Sequence, residues 1–366
     1  MPQSVDSPLS APLPKVRAAI IGASGYSGEE LVRLLLRHPH AILSAVTSRQ
    51  SAGQTIAQVF PKFASFPLAR TLRFSEPLPD KLASEADLVF LALPHGVAAE
   101  FAVPLLAAGC KVIDLSADFR LRDPAVYREF YAHDHPAPGL LPQAVYGMPE
   151  FKREAIRSAK LIASPGCYPT SILLPLIPLL RHRLIKVQGI VANSMSGVSG
   201  AGRKAELDYL FVECNESLRA YGVPKHRHLS EIEQELSDVA GEKVIIQFIP
   251  HLVPVNRGIA TSISASPVRA VANAADAERL QGEITSAYID AYRDELFVRV
   301  LEGNALPDTK NVTGTNVLEL AWRIDVRTGR VVLFSAEDNL IKGASGQAVQ
   351  SMNIICGYPE SAGLEG

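Results

Sequence analysis

The chain has 366 residues, of which 47% are hydrophobic and 20% charged, with a formal net charge of −2 and an isoelectric point near 6.5. That length suits about two domains. The balanced charge, with no basic run, excludes a general attraction to nucleic acid or to an anionic membrane, and leaves a small molecule as the expected partner.

Residues 1–14 are rich in Pro and Ser without an apolar stretch and cleavage site, so a loose tail is expected there and no secretory signal. Val16 to Ile21 predicts a strand, which breaks into Gly22-Ala23-Ser24-Gly25-Tyr26-Ser27-Gly28. Leu31, Leu34 and Leu35 then recur at helical spacing until His38-Pro39. Strand, glycine turn and helix suit a dinucleotide, because glycines let the backbone approach a pyrophosphate whose charge the helix N-terminus stabilises. The spacing Gly-x-x-Gly-x-x-Gly departs from the usual Gly-x-Gly-x-x-Gly, and a plain tight turn is the alternative. Candidate cofactor contacts are Gly22, Ser24, Gly25, Tyr26, Ser27 and Gly28. Apolar runs at Ile42–Val46, Leu88–Leu93 and Lys111–Leu115, with a helical stretch from Val97 to Ala108, predict a Rossmann-like, doubly wound parallel sheet. At the end of the second strand, Thr47-Ser48-Arg49 holds no carboxylate for a ribose 2′-hydroxyl. Ser48 and Arg49 suit the 2′-phosphate of NADP, with a solvated loop charge the alternative for Arg49.

Ser164-Pro165-Gly166-Cys167-Tyr168-Pro169-Thr170 follows, and Pro169 suits the first turn of a helix running through Ser171 to Leu180. Cys167 is thereby expected at a helix N-terminus, where free N–H groups and the helix dipole lower a thiol pKa and make a nucleophile. The alternative is a buried cysteine packing as a small hydrophobe. The four cysteines, Cys110, Cys167, Cys214 and Cys356, lack metal-site or redox-motif spacing, so no metal is expected and a reducing cytoplasm suits them.

Beyond Cys167 the pattern becomes α+β, with strands expected at Gly189–Asn193, Val244–Phe248, Ile259–Ala265, Leu318–Val326 and Val331–Phe334, the last two joined as a hairpin at Thr328-Gly329. A mixed sheet with helices over one face is expected. The loop Ser196 to Arg203 offers backbone N–H groups and a guanidinium as a cradle for phosphate or carboxylate. Lys225-His226-Arg227-His228 forms a cationic cluster, and Ser230-x-x-Glu233 reads as a capping box, starting a helix just after His228. One of the two histidines is expected to handle protons for the thiol, with His228 favoured, since both cannot face the same spot if the chain there is extended. Near the C-terminus, Asp338 to Gln347 leads into a helix expected to pack on the nucleotide-binding unit and to bring Asn339 to the nicotinamide amide.

In this order, Gly22–Gly28, Leu93-Pro94-His95-Gly96, Ala117-Asp118-Phe119-Arg120-Leu121, Pro165–Thr170, Ser199–Arg203, His226-Arg227-His228 and Asp338–Gln347 resemble the motifs of the N-acetyl-gamma-glutamyl-phosphate reductase family of arginine biosynthesis, within the semialdehyde dehydrogenase group. The resemblance covers nearly the whole chain after the tail. It implies an NADP-binding Rossmann-like domain over 15–166 and 338–366, and an inserted α+β catalytic, substrate and oligomerisation domain over 167–337. It implies that Cys167 attacks an acyl phosphate, expels phosphate and forms a thioester, which NADPH reduces to N-acetylglutamate 5-semialdehyde, with His228 or His226 managing protons. Arg120, Ser199 and Arg203 match substrate-side positions; Pro94, Asn339 and Gly343 match cofactor-side ones. A cytoplasmic dimer or tetramer is implied. Pro175 and Pro178 depart from the pattern and predict a kink after the second turn of the Cys167 helix, and the Lys225 and Leu229 flanks are also less similar. Rival readings are a carrier-linked aminoadipyl phosphate reductase, which needs a large complementary surface, and aspartate-semialdehyde dehydrogenase, against which Cys-Tyr-Pro-Thr argues. A non-catalytic NADP sensor is the rival of another class.

Overall fold

The computed structural model describes residues 13–203 and 205–365, so the tail expected over 1–14 lies outside the described residues except at its last two positions. The first half forms a seven-stranded sheet from β1 (Val16–Ile21), β2 (Ala41–Thr47), β3 (Phe74–Ser75), β4 (Leu88–Leu91), β5 (Lys111–Asp114), β6 (Ala144–Tyr146) and β7 (Leu161–Ala163), in the order β3-β2-β1-β4-β5-β7-β6. Every pairing is parallel. Alternate residues of β1 serve opposite faces: Ala18 and Ile20 join one core with Leu31, while Ala19 and Ile21 join the other with Leu105. Ala348, Val349 and Met352 of the C-terminal helix Gly346–Cys356 lie in the first of these cores, so this helix packs on the nucleotide-binding unit as expected. The strands β3, β6 and β7, of two or three residues, are too short for a periodicity argument to find.

The second half forms a mixed seven-stranded sheet from β8 (Val191–Gly197), β9 (Arg219–Ala220), β10 (Gln247–Val253), β11 (Ile259–Ala265), β12 (Val298–Val300), β13 (Leu318–Asp325) and β14 (Arg330–Glu337), in the order β12-β13-β14-β11-β8-β10-β9. The β13–β14 hairpin forms as expected, with Gly329 at φ +64° in its turn. β10 begins later than its apolar run, because Val244 and Ile246 fill the core ahead of the ladder. The helices Cys167–Arg181 and Ala274–Tyr292 cover one face, Leu173, Leu176, Ile284 and Tyr288 packing with Leu333.

The kink expected from Pro175 and Pro178 is corrected: the helix runs unbroken from Cys167 to Arg181. A proline at position i leaves the carbonyl at i−4 without its helical donor. Here Ser335 Oγ donates to the Ser171 carbonyl at 2.7 Å, and Tyr292 Oη donates to that of Leu174. Both orphaned acceptors are satisfied from the elements packed above them.

Candidate active site

Gly22 and Gly28 are required by packing. A Cβ on Gly22, at φ +84°, would fall 2.3 Å from the Ala92 carbonyl oxygen, and one on Gly28 2.4 Å from that of Gly22. Gly25 differs, since a Cβ there would meet only the Gly22 oxygen at 3.6 Å. It stands immediately before the helix Tyr26–Arg37, whose N-terminus has no side-chain cap, and its bare backbone fits the approach of a pyrophosphate. Ser24 Oγ donates to Ser48 Oγ at 2.8 Å, and Arg49 is exposed just beyond the end of β2. The turn thus meets two hydroxyls and an exposed guanidinium, which fit a phosphorylated ribose. Pro94 lies exposed just beyond β4.

Cys167 opens its helix behind Gly166, half-buried on a cleft of about 490 Å³ that also touches Ser27, Arg120, His226, His228 and Asn339. Ser199 and Gly343 line the same cleft. The cleft therefore joins the glycine turn to the second sheet. A Cβ on Gly166 would fall 2.7 Å from His228 Nε2, 2.8 Å from Glu231 Oε1 and 2.9 Å from Arg120 Nη1, so three functional groups converge on the residue before the thiol. Glu231 accepts from Arg120 Nη1 at 3.0 Å, Tyr146 Oη at 3.0 Å and the Gly166 N–H at 3.3 Å. Arg120 also holds the carbonyls of Ser164 and Leu115, which orients the turn that carries Cys167.

The thiol is not acidified as its helix position predicts. Burial, reinforced by nearby Glu337, pushes Cys167 up to about 12 against the opposing Tyr168 N–H and Arg120. Burial also drives His228 well below its ordinary value, helped by His226 and Arg120, and lowers His226 to about 4. The resting pair is a thiol beside a neutral imidazole.

The two histidines do not diverge as an extended chain would require; their rings lie 5.0 Å apart. The helix starts at His228 itself, over His228–Ala240, and no capping box forms, since Ser230 Oγ donates to the Arg227 carbonyl and Glu233 accepts from Ile246 N–H. His226 Nδ1 instead accepts the His228 N–H at 3.1 Å, which commits that nitrogen to the helix start. His228 Nδ1 has no hydrogen-bond partner. Of the two, His228 is the one whose ring nitrogens are left for chemistry.

Other expected contacts are redistributed. In the Ser196–Arg203 loop, the N–H groups of Gly197, Val198 and Ser199 bond to the carbonyls of Gly258, Val255 and Asn256, so they cannot cradle an anion. Arg203 does not line the cleft; it is ion-paired with Glu29 and lies 4.7 Å over the Tyr26 ring. Asn339 is buried, accepting from the Gly258 N–H at 2.8 Å and donating to Ser199 Oγ at 3.0 Å. Lys225 turns out to Glu129, whereas Arg227 and Arg219 line the cleft. Sequence reasoning missed Glu231, Arg219 and His95. The position of Glu231 one turn after His228 was the available signal, and His95 stands inside a motif already noted.

Among known families, the semialdehyde dehydrogenase NAD binding domain matches residues 17–159 and the semialdehyde dehydrogenase dimerisation domain residues 167–339. The fold is shared with aspartate semialdehyde dehydrogenase II from Vibrio cholerae, solved with ASA, at TM-score 0.69 and 18% identity over 93% of this chain and 98% of that one. The Candida albicans aspartate semialdehyde dehydrogenase solved with NADP gives 0.64 and 16% over 93% and 98%. Fold and paired domains together define a semialdehyde dehydrogenase, an oxidoreductase. Among curated proteins, the N-acetyl-gamma-glutamyl-phosphate reductase of Akkermansia muciniphila is 54% identical over 96% of this chain and 99% of that protein, and that of Geobacter sulfurreducens 49% over 96% and 98%. The chain belongs to the N-acetyl-gamma-glutamyl-phosphate reductase family.

Proposed function

We propose that this chain reduces N-acetyl-gamma-glutamyl phosphate to N-acetylglutamate 5-semialdehyde with NADPH, releasing phosphate, through a thioester on Cys167. The observation that carries the reading is the convergence of Cys167, His228 and Arg120 in one cleft that reaches Ser27 of the glycine turn. Near-50% identity to reductases of that name supports the substrate.

The sulfur attacks the acyl carbon, forming a carbon–sulfur bond as the carbon–oxygen bond to phosphate breaks. The thiol proton passes to neutral His228 and on to the departing phosphate. Arg120 holds Glu231 and the Ser164 carbonyl, fixing the Gly166-Cys167 turn against His228. Arg219 and Arg227 give the cleft positive charge suited to an anionic substrate. NADPH, when bound, supplies the hydride that takes the thioester to the aldehyde level. Gly25, Tyr26, Ser27 and Gly28 would hold its pyrophosphate, Ser24, Ser48 and Arg49 its 2′-phosphate, and Gly343 would line its nicotinamide end, while Asn339, held by Gly258 and Ser199, lines the same cleft. Aldehyde release breaks the carbon–sulfur bond, and the freed sulfur takes up a new proton from solvent through His228, the one proton that the overall reduction consumes.

Residues 15–166 with 338–366 act in this reading as the cofactor unit and 167–337 as the catalytic unit, and the dimerisation-domain match supports a homo-oligomer, a dimer or tetramer. Among the described residues no helix is long and apolar enough to cross a membrane. The free cysteines suit a reducing cytoplasm.

The reaction is tested in reverse, as phosphate-dependent reduction of NADP by N-acetylglutamate 5-semialdehyde. Activity is expected with this aldehyde and falls to background in Cys167→Ser. Full activity in that variant sinks the thioester, and activity confined to another semialdehyde moves the substrate.

A further inference from the structure

The last residue of β14, Glu337, is wholly buried and neither carboxyl oxygen has a hydrogen-bond partner. Burying such a group unpaired is costly. Its surroundings give it little relief: the Lys342 ammonium is bonded to Glu150 at 2.5 Å and Gln350 at 3.2 Å, and the Asp338 carboxylate accepts the N–H groups of Gly314, Leu340 and Ile341. One side of Glu337 faces the nucleophile across a residue with no side chain. A Cβ on Gly343 would fall 2.8 Å from Glu337 Oε1 and 2.7 Å from Cys167 Cβ.

We propose that Glu337 is a positioning residue for the nucleophile, a carboxyl group set behind Cys167 that confines their shared buried site to one negative charge and keeps the sulfur protonated until His228 accepts its proton. This rests on Cys167 being the nucleophile. Around Cys167 the other charged or titratable groups are Arg120, Glu231, His228, Tyr168 and Tyr221; around Glu337 they are Lys342, Asp338 and Glu150. Two acids in one low-dielectric site oppose each other's ionisation, and consistently Glu337 is held well above the usual carboxylate range, chiefly by burial. A thiol kept protonated in the free enzyme reacts slowly with oxidants and alkylating agents, because the thiolate is the reactive form. The substrate is attacked only once it stands beside His228.

The test is the pH profile of Cys167 alkylation by iodoacetamide in the intact, substrate-free protein, with the modified peptide identified by mass and Cys167→Ser as the blank. In Glu337→Gln the midpoint is expected about one pH unit lower than in the unmodified chain, with alkylation at pH 8 correspondingly about tenfold faster. Glu337→Asp, which keeps an ionisable carboxyl, retains the original profile. Glu337→Leu, apolar and of similar size, shifts it as glutamine does and serves if the glutamine variant folds poorly. An unshifted profile in both neutral variants, or an equal shift in Glu337→Asp, overturns the proposal. Absence of any Cys167 labelling in the unmodified chain at all pH values overturns the nucleophile reading as well.

Discussion

A thiol at a helix N-terminus feels two opposing influences, and at Cys167 burial outweighs the helix. The helix end contributes roughly 0.3–1 kcal/mol, less than one pKa unit, whereas desolvation moves a group by up to about 3–5 units. The position of the thiol is legible from Gly166, Pro169 and the apolar run after them, but its charge state is not, because that depends on residues brought in from β14 and from the His228 helix. Arg49 makes the opposite case: its exposed place after β2 follows directly from the strand and turn pattern. If it binds the 2′-phosphate, Arg49→Asp loses a charge-assisted contact of about 1.5–3 kcal/mol and introduces repulsion. The ratio of kcat/KM for NADP over NAD is then expected to fall by at least about tenfold, the equivalent of about 1.4 kcal/mol. An unchanged ratio removes Arg49 from cofactor selection.

Among the elements, the Cys167–Arg181 helix shows why local rules fail where tertiary contacts replace what they remove. Pro175 and Pro178 are correctly read as deleting two helical hydrogen bonds, but Ser335 and Tyr292, distant in sequence, supply the missing donors. The long periodic elements, β1, its following helix, β11 and the β13–β14 hairpin, were legible because apolar alternation and turn residues agree there. The start of the His228 helix was legible to within one residue, but the capping box was not, since a Ser-x-x-Glu pattern looks the same whether or not its side chains close on the backbone. The proline contacts predict an ordering of stabilities. Tyr288 Oη also donates into this helix, to the Pro175 carbonyl at 2.8 Å, but that carbonyl keeps its helical donor in Leu179, which is not a proline. Tyr292→Phe and Ser335→Ala each leave a buried acceptor bare and are expected to cost about 1–3 kcal/mol, whereas Tyr288→Phe costs about 0.5–1 kcal/mol. Urea unfolding measures all three, and equal costs contradict the account of the unbroken helix.

At the scale of the whole molecule, ion pairs join the two sheets. Arg203 pairs with Glu29 and Arg257 with Glu30 at 3.0 Å, so residues near the second sheet grip the helix that follows β1. The two-sheet architecture was legible from the change of pattern after Cys167, while these cross-connections, made between residues more than a hundred positions apart, carry no local signal. Burial also makes stability depend on pH. His226 is lowered to about 4, so its contribution is present above the unfolded histidine value and is lost as pH falls towards 4. Asp114, wholly buried at the end of β5, is raised to about 7 by burial and by neighbouring Asp118 against its Ser116 hydrogen bonds. Its sign is opposite: its contribution is complete below the unfolded value of 3.8 and is lost as pH rises to about 7. Asp114→Asn keeps the shape of the protonated acid and removes its titration. The stability of the unmodified chain relative to this variant is therefore expected to fall as pH rises from about 4.5 towards 7, by at most about 1.4 kcal/mol per pH unit, and to level off above about pH 7. Urea unfolding of both proteins at about pH 4.5, 6 and 8 measures the difference; a constant difference across that range means that Asp114 titrates as an ordinary carboxylate in the folded protein.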